Sequence, residues 1–407
     1  MSPFQIAATF MLLIAFGGWI NARTLRLPRE VAMLIVGLAG ALTLWTLGRF
    51  APDLTASAVA LGAIKGIDFS DTVLGYMLGF LLFAGSTQVD LGEIRRRLVS
   101  ISLLATAGVA VSILVVGFGL WGVARMLALP LPLSWALVFG ALISPTDPIA
   151  VLAAVKRGHL SKTLQAVMQG EALFNDGVGI VAFASLLALA VGEGIGTPAS
   201  LFGHIFLDAA GGLLLGLAGG AIAIRAMKAI DDFAVEVTLT LALCMGVYVG
   251  AQALGLSGPI GVVGAGLLIG GECALPSRSY LRSFWTLVDE ILNAILFLLL
   301  GFETLVVPFR RGQLGLAVGA ILLVLFARIL VVAPWAITLR RREPGAGTIL
   351  VWGGLHGALS LALALSIPQG PERALILTAT YAVVAFSMIV QGLTFGPLTS
   401  ALAPKRQ

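Results

Sequence analysis

Run after run of about twenty apolar residues, parted by short charged or Gly- and Pro-bearing breaks, fills this chain from end to end. Backbone in hydrocarbon must satisfy its own polar groups, so a spanning segment is a helix or part of a closed barrel. Runs this long, without alternation, select helices. Windows fall near residues 4–20, 30–49, 71–89, 98–125, 132–155, 162–191, 200–227, 234–254, 258–274, 284–303, 312–339, 348–366 and 373–401. That is about thirteen spans, or twelve if one weaker segment only re-enters. The expected class is an all-α polytopic membrane protein. Composition agrees: 11% of the residues are charged, against about 25% in soluble domains. The 50 glycines suit helices that pack closely in lipid. The first run, Phe4 to Ile20, lacks a basic leader and is followed by NARTLRLPRE, so it reads as a span and not as a removable signal.

Sorting the basic residues gives an orientation. Alternate loops hold Arg23, Arg26, Arg29; Arg95, Arg96, Arg97; Lys156, Arg157, Lys162; Arg225, Lys228; Arg278, Arg282; Arg340, Arg341, Arg342; and Lys405, Arg406. These are eighteen of the 25. The opposite loops and their flanks hold Arg49, Lys65, Arg125, Arg310, Arg311 and Arg373, and Arg328 lies inside a span. The bias puts the C-terminus in the cytoplasm and, with an odd span count, the N-terminus outside. The net charge of +5 is therefore an orientation signal and a lipid-headgroup contact, not a nucleic-acid patch. With short loops throughout, residues 1–407 are expected to form a single membrane transport domain. It divides into a first half (1–191), a linker helix (192–230) and a second half (231–407). In this division two broken spans take the same ordinal place in halves of opposite orientation. One is interrupted by Pro145 and Pro148, the other by Gly353, Gly354 and Gly357 around His356. Interrupted helices in corresponding positions point to a midplane transport site.

The chemistry concentrates in FGALISPTDPIAVLAAVKRGHLSKTLQAVMQGEALFNDGVGIV, residues 139–181, where Asp147 and Asp176 each sit in an apolar run. A carboxylate at mid-span costs about 2.5–3.5 kcal/mol on insertion scales and so calls for a partner, a proton or an ion. Prolines around Asp147 free carbonyls and expose half-helix ends. With the Thr146 hydroxyl they make a hard-oxygen environment suited to an alkali cation. Asp147 can also cap the second half-helix, and the two roles are compatible. Asp176, beside the Asn175 amide, has no such local work. Desolvation disfavours its bare charge, so it holds one proton or one monovalent cation in turn. That competition is enough to exchange the two across a membrane. Glu171 and Arg328 are opposite charges in different spans and are expected to pair, structurally or as a moving gate.

Other groups stay ambiguous on sequence. Glu303 lies near the outer face, while Asp289 and Glu290 either attract cations at the cytoplasmic end or are merely solvated. His159 falls in a loop, and His356 either titrates near neutral pH or packs through hydrogen bonds. His204 carries no motif. Cys244 and Cys273 lack metal-site spacing and read as small buried hydrophobes. No cofactor, resident metal centre or nucleotide loop is expected.

The strings FGALISPTDPIAV, GEALFNDGVGIV, NAILFLLLGFE, ARILVVAP and WGGLHGALSLALALSIP, in this order, resemble the monovalent cation/proton antiporters. The branch is that of the bacterial NhaP-type antiporters, related to the NHE exchangers. The resemblance implies an NhaA-like fold of thirteen helices in inverted repeats, with two crossed broken helices. It also implies a core domain, a dimerisation domain and elevator-like alternating access. It puts the Na⁺ site on Asp176, Asp147 and Thr146 with Asn175, and the core ion pair on Glu171 and Arg328. Asn175 before Asp176 looks like the electroneutral branch, whose electrogenic relatives carry two aspartates there. Two positions depart from the pattern. His356 stands where the family often has Arg, and Ala84 where some relatives place a Glu.

The expectation is an inner-membrane Na⁺ (or Li⁺)/H⁺ antiporter, homodimeric, in contact with membrane lipid and not an enzyme. A K⁺/H⁺ antiporter on the same fold is the nearest rival. An intramembrane aspartyl protease and a passive cation channel are the others.

Overall fold

The computed structural model describes residues 2–50, 71–89, 91–147, 160–192, 198–272, 278–303, 313–339 and 345–402. Every regular element among them is helical. In chain order these are α1 (Pro3–Ile20), α2 (Arg29–Phe50), α3 (Leu78–Thr87), α4 (Leu91–Met126), α5 (Leu133–Ile143), α6 (Lys162–Ala190) and α7 (Pro198–Lys228). Then come α8 (Phe233–Ala253), α9 (Gly258–Gly271), α10 (Arg278–Glu303), α11 (Leu314–Leu339), α12 (Ala346–Trp352), α13 (Ala358–Ser366) and α14 (Pro371–Leu402). Nine of these are long and apolar enough to cross a membrane, and α3, α5 and α9 are shorter apolar helices. The expected thirteen requires those three and the broken pair α12/α13 to count as spans too. The chain is an integral membrane protein.

Side chains at the helix starts set the boundaries. Ser2, Ser161, Asp232 and Ser257 each precede a helix and accept from the backbone N–H groups of its first turn. Polarity is inverted relative to a soluble protein. Large apolar groups such as Phe16, Trp19, Leu214 and Phe326 are exposed, whereas Glu171, Arg328 and Thr380 are buried.

The described residues form four apolar clusters, the smallest around Met168, Val332 and Leu350. One gathers Phe10, Met33, Phe297 and Leu361 from α1, α2, α10 and α13. A second joins Leu120, Phe139, Leu316 and Ile376 from α4, α5, α11 and α14. The third packs Phe83, Cys244, Val263 and Trp285 from α3, α8, α9 and α10. Cys244 is a buried small side chain whose thiol donates to the Gly79 carbonyl at 3.4 Å, while Cys273 lies outside the described residues. Helices α7 and α9 approach backbone to backbone, since a β-carbon on Gly216 would overlap the Gly261 carbonyl.

The breaks matter most for function. Helix α5 stops at Ile143, and Ser144 turns its hydroxyl back onto the Ala141 carbonyl at 2.8 Å. Pro145 has no N–H to continue the ladder. Helix α12 stops at Trp352, and α13 begins only at Ala358. The two interruptions meet: the Asp147 N–H donates to the Leu355 carbonyl at 2.7 Å, an isolated antiparallel bridge between otherwise helical segments. Each supplies a backbone partner that the other's missing helix would have provided. Pro148 and the continuation of the fifth expected span lie outside the described residues.

Candidate functional site

The crossing of the breaks brings Asp147 toward α6. Asn175 is buried there and donates from its amide to the Thr146 hydroxyl at 2.9 Å. Its amide oxygen accepts from the Thr146 N–H at 3.4 Å. Both ends of the Asn175 side chain therefore hold the unwound backbone in register with α6. One residue on, Asp176 opens into a cavity of about 120 Å³ that Thr146 and Asp147 also line. The two aspartates expected to share a task do share a space.

The remaining wall of that cavity is mostly apolar, with Leu78, Leu82, Leu173 and Leu296, and among the described residues it includes no basic side chain. Asp289 from α10 lines it as well. Asn293, one turn later, donates to Asp289 at 3.0 Å. Glu290 faces elsewhere and forms an ion pair with Arg29. Sequence reasoning missed Asn293, Gln88, Gln169 and Ser360, all of which line the cavity. The spacing of Asp289, Asn293 and Leu296 along one helix face was the available signal. Ala84 is fully buried and is not among the residues lining the cavity.

Arg328 and Glu171 are 8% and 2% exposed and form a forked ion pair. Guanidinium Nη2 meets the second carboxylate oxygen at 3.0 Å. The same guanidinium donates through Nε and Nη2 to the Leu350 carbonyl at 3.1 and 3.0 Å. One arginine thus ties α11 to α6 and to the last turns of α12. Gly354 leaves room for it, for a β-carbon there would strike the guanidinium. Gly353 does the same for the Met168 methyl.

His356 is buried in the second break, with Nδ1 3.0 Å from the Pro145 carbonyl. A carbonyl only accepts, so Nδ1 carries the proton. The His356 N–H donates to the Ser387 hydroxyl at 2.9 Å, and that hydroxyl donates to Gln391 at 2.7 Å. The imidazole therefore joins the two breaks to each other, and the His356 backbone ties the second break to α14. Among the described residues no cluster of three metal-ligating side chains occurs. His159 lies outside the described residues, as do the side chains of His204 and Glu303.

A family model described as "Sodium/hydrogen exchanger, transmembrane" matches residues 11–401. The chain belongs to that family. It is 41% identical to the Na⁺/H⁺ antiporter NhaP of Pseudomonas aeruginosa over 97% of this chain and 96% of that one. It is 34% identical to the Na⁺/H⁺ antiporter NhaH of Halobacillus dabanensis, covering 94% of this chain and 93% of the other. In structure it is similar to the sodium proton antiporter MjNhaP1 of Methanocaldococcus jannaschii, with a TM-score of 0.75 over the whole of both chains at 20% identity. The stretch matched to the exchanger family includes every candidate site residue from Thr146 to His356. The broken helices and their crossing are thus features of an exchanger-family chain matched over nearly its full length.

Proposed function

We propose that this exchanger carries Na⁺ (or Li⁺) and H⁺ in opposite directions, one for one. The observation that carries the reading is the cavity itself. Thr146 and Asp147 from the first break and Asp176 from α6 converge on it, and among the described residues no basic side chain lines it to neutralise them. A desolvated carboxylate takes a proton or a metal cation. Asp176 is the group that alternates. Asp147 and Thr146 offer further oxygens to Na⁺, and Asn175 positions Thr146 by its two hydrogen bonds. Glu171 and Arg328 form a structural pair, since all their strong contacts are to each other and to one carbonyl. The names of the full-length relatives support sodium and protons as the cargo.

The finer reading has a core domain built around the two breaks move against a dimerisation domain as an elevator, within a homodimer in the inner membrane, its N-terminus outside. The inverted arrangement of the two breaks supports that motion. The test is purified protein in liposomes with an internal pH-sensitive dye, challenged with Na⁺, Li⁺ and K⁺ in turn. Wild type should move protons on Na⁺ or Li⁺ addition, and Asp176→Asn should not. A larger response to K⁺ would instead favour the K⁺/H⁺ exchanger. Wild-type flux from folded Asp176→Asn would sink the assignment of Asp176.

A further inference from the structure

Buried hydroxyls in this molecule find acceptors close by. Ser86 donates to the Phe83 carbonyl at 2.8 Å, Thr87 to Ala84 at 2.8 Å, and Thr380 to Ile376 at 2.8 Å. Ser360 does not: it is 1% exposed, and among the described residues its Oγ has no hydrogen-bond partner. The reason lies in its place. A serine within a helix bonds back to a carbonyl three or four residues earlier. For Ser360 those residues are Gly357 and His356, which belong to the break and not to α13. Leaving a buried hydroxyl unmade is destabilising.

The same residue lines the cavity that holds Thr146, Asp147 and Asp176. Gly357 lies three residues before it, at the N-cap of α13. Gly357 packs so closely on the Asp147 carboxylate that an added β-carbon would overlap it. Ser360 thus lies three residues past the glycine that packs on Asp147, in the wall of a cavity lined by carboxylates, and among the described residues its hydroxyl has no partner. The side chain that lacks an acceptor here is also an unused oxygen donor for a hard cation.

We propose that Ser360 is a cation-binding residue, its hydroxyl oxygen coordinating the dehydrated monovalent cation as it sits between Asp147 and Asp176. This rests on the exchange reading of the same cavity. The second broken helix then contributes to the ion site directly, and not only by closing the first break through Leu355. A shell containing a neutral hydroxyl also enters into the choice between Na⁺ and Li⁺, because the smaller ion draws its ligands in further.

The experiment compares wild type, Ser360→Ala and Ser360→Thr in liposomes and in detergent. In Ser360→Ala the KM for Na⁺ should rise about tenfold at an unchanged maximal rate, the size expected for one lost contact to a charged group. Ser360→Thr keeps the oxygen and should keep the wild-type KM. Thermal melts give an independent readout, since Na⁺ stabilises whatever it binds. The Na⁺ concentration that half-saturates the rise in Tm should move up by the same factor in Ser360→Ala, with the Na⁺-free Tm equal to or above wild type. Unchanged KM and unchanged half-saturation would overturn the proposal. So would a Na⁺-free Tm that falls, because that is the mark of a packing role. A wild type with no cation-driven proton flux would sink the exchange reading itself, while the Na⁺ melts would still report on Ser360.

Discussion

Two buried glutamates show how differently one residue type can be placed. Glu171 shares its carboxylate with Arg328 and is 2% exposed. Glu236, in the first turn of α8, is 0% exposed, and among the described residues neither of its carboxyl oxygens has a partner. Removing one member of a buried pair strands the other, at about 3–5 kcal/mol. Glu171→Gln should therefore lower the thermal stability of the detergent-solubilised protein sharply. Removing an unpartnered group relieves a cost of about 1–3 kcal/mol. Glu236→Met, apolar and adaptable in shape, should raise the melting temperature. Opposite shifts in the same melting assay support both placements, and shifts of equal sign refute one of them. Only the first was legible in the sequence. Glu171 and Arg328 stand out as lone charges in apolar runs. Glu236 follows Asp231 and Asp232 and looks like an ordinary acidic helix start.

The broken elements were readable because Pro and Gly break helices by local chemistry. Pro145 removes a donor whatever the surroundings, and three glycines within five residues at 353–357 mark a loss of helix. What those glycines accommodate was not readable, since it depends on tertiary neighbours. Gly354 makes way for Arg328, and Gly357 for the Asp147 carboxylate. The same holds for Gln88, Asn293 and Ser360, ordinary polar residues whose role depends on the cavity they line. Gly357 offers a clean test because its backbone, at φ −117° and ψ −158°, suits any residue. An alanine there acts only through its methyl group, which pushes on Asp147. Gly357→Ala should retain expression and lose about a hundredfold in exchange rate, as misplaced reacting groups do. Gly122→Ala in α4, where an added β-carbon meets nothing within 4 Å, should exchange like wild type. Equal rates in dye-loaded liposomes for both variants would show that the Asp147 carboxylate need not stay where it is.

On the scale of the whole molecule, the class and the order of the spans followed from hydropathy, because lipid imposes one rule on every backbone group. The packing of α7 on α9, or of α3 beneath Trp285, had no such rule behind it. Across the full membrane the proposed stoichiometry becomes a physical quantity. Each net charge moved per cycle is worth about 2.3 kcal/mol per 100 mV. Asn175 spends both ends of its amide on Thr146, so the position before Asp176 in α6 carries an amide and not a carboxylate to load. One cation out and one proton in leave no net charge to move. The Na⁺ gradient that balances a fixed pH gradient should then be the same with and without an imposed potential of 100 mV. Transfer of one net charge would displace that balance about fiftyfold. The measurement clamps the potential of dye-loaded liposomes with a K⁺ ionophore and titrates external Na⁺ to the point of no proton flux. A fiftyfold displacement would mean that a second group near Asp176 changes its charge during the cycle, with Asp147 the first to replace by Asn.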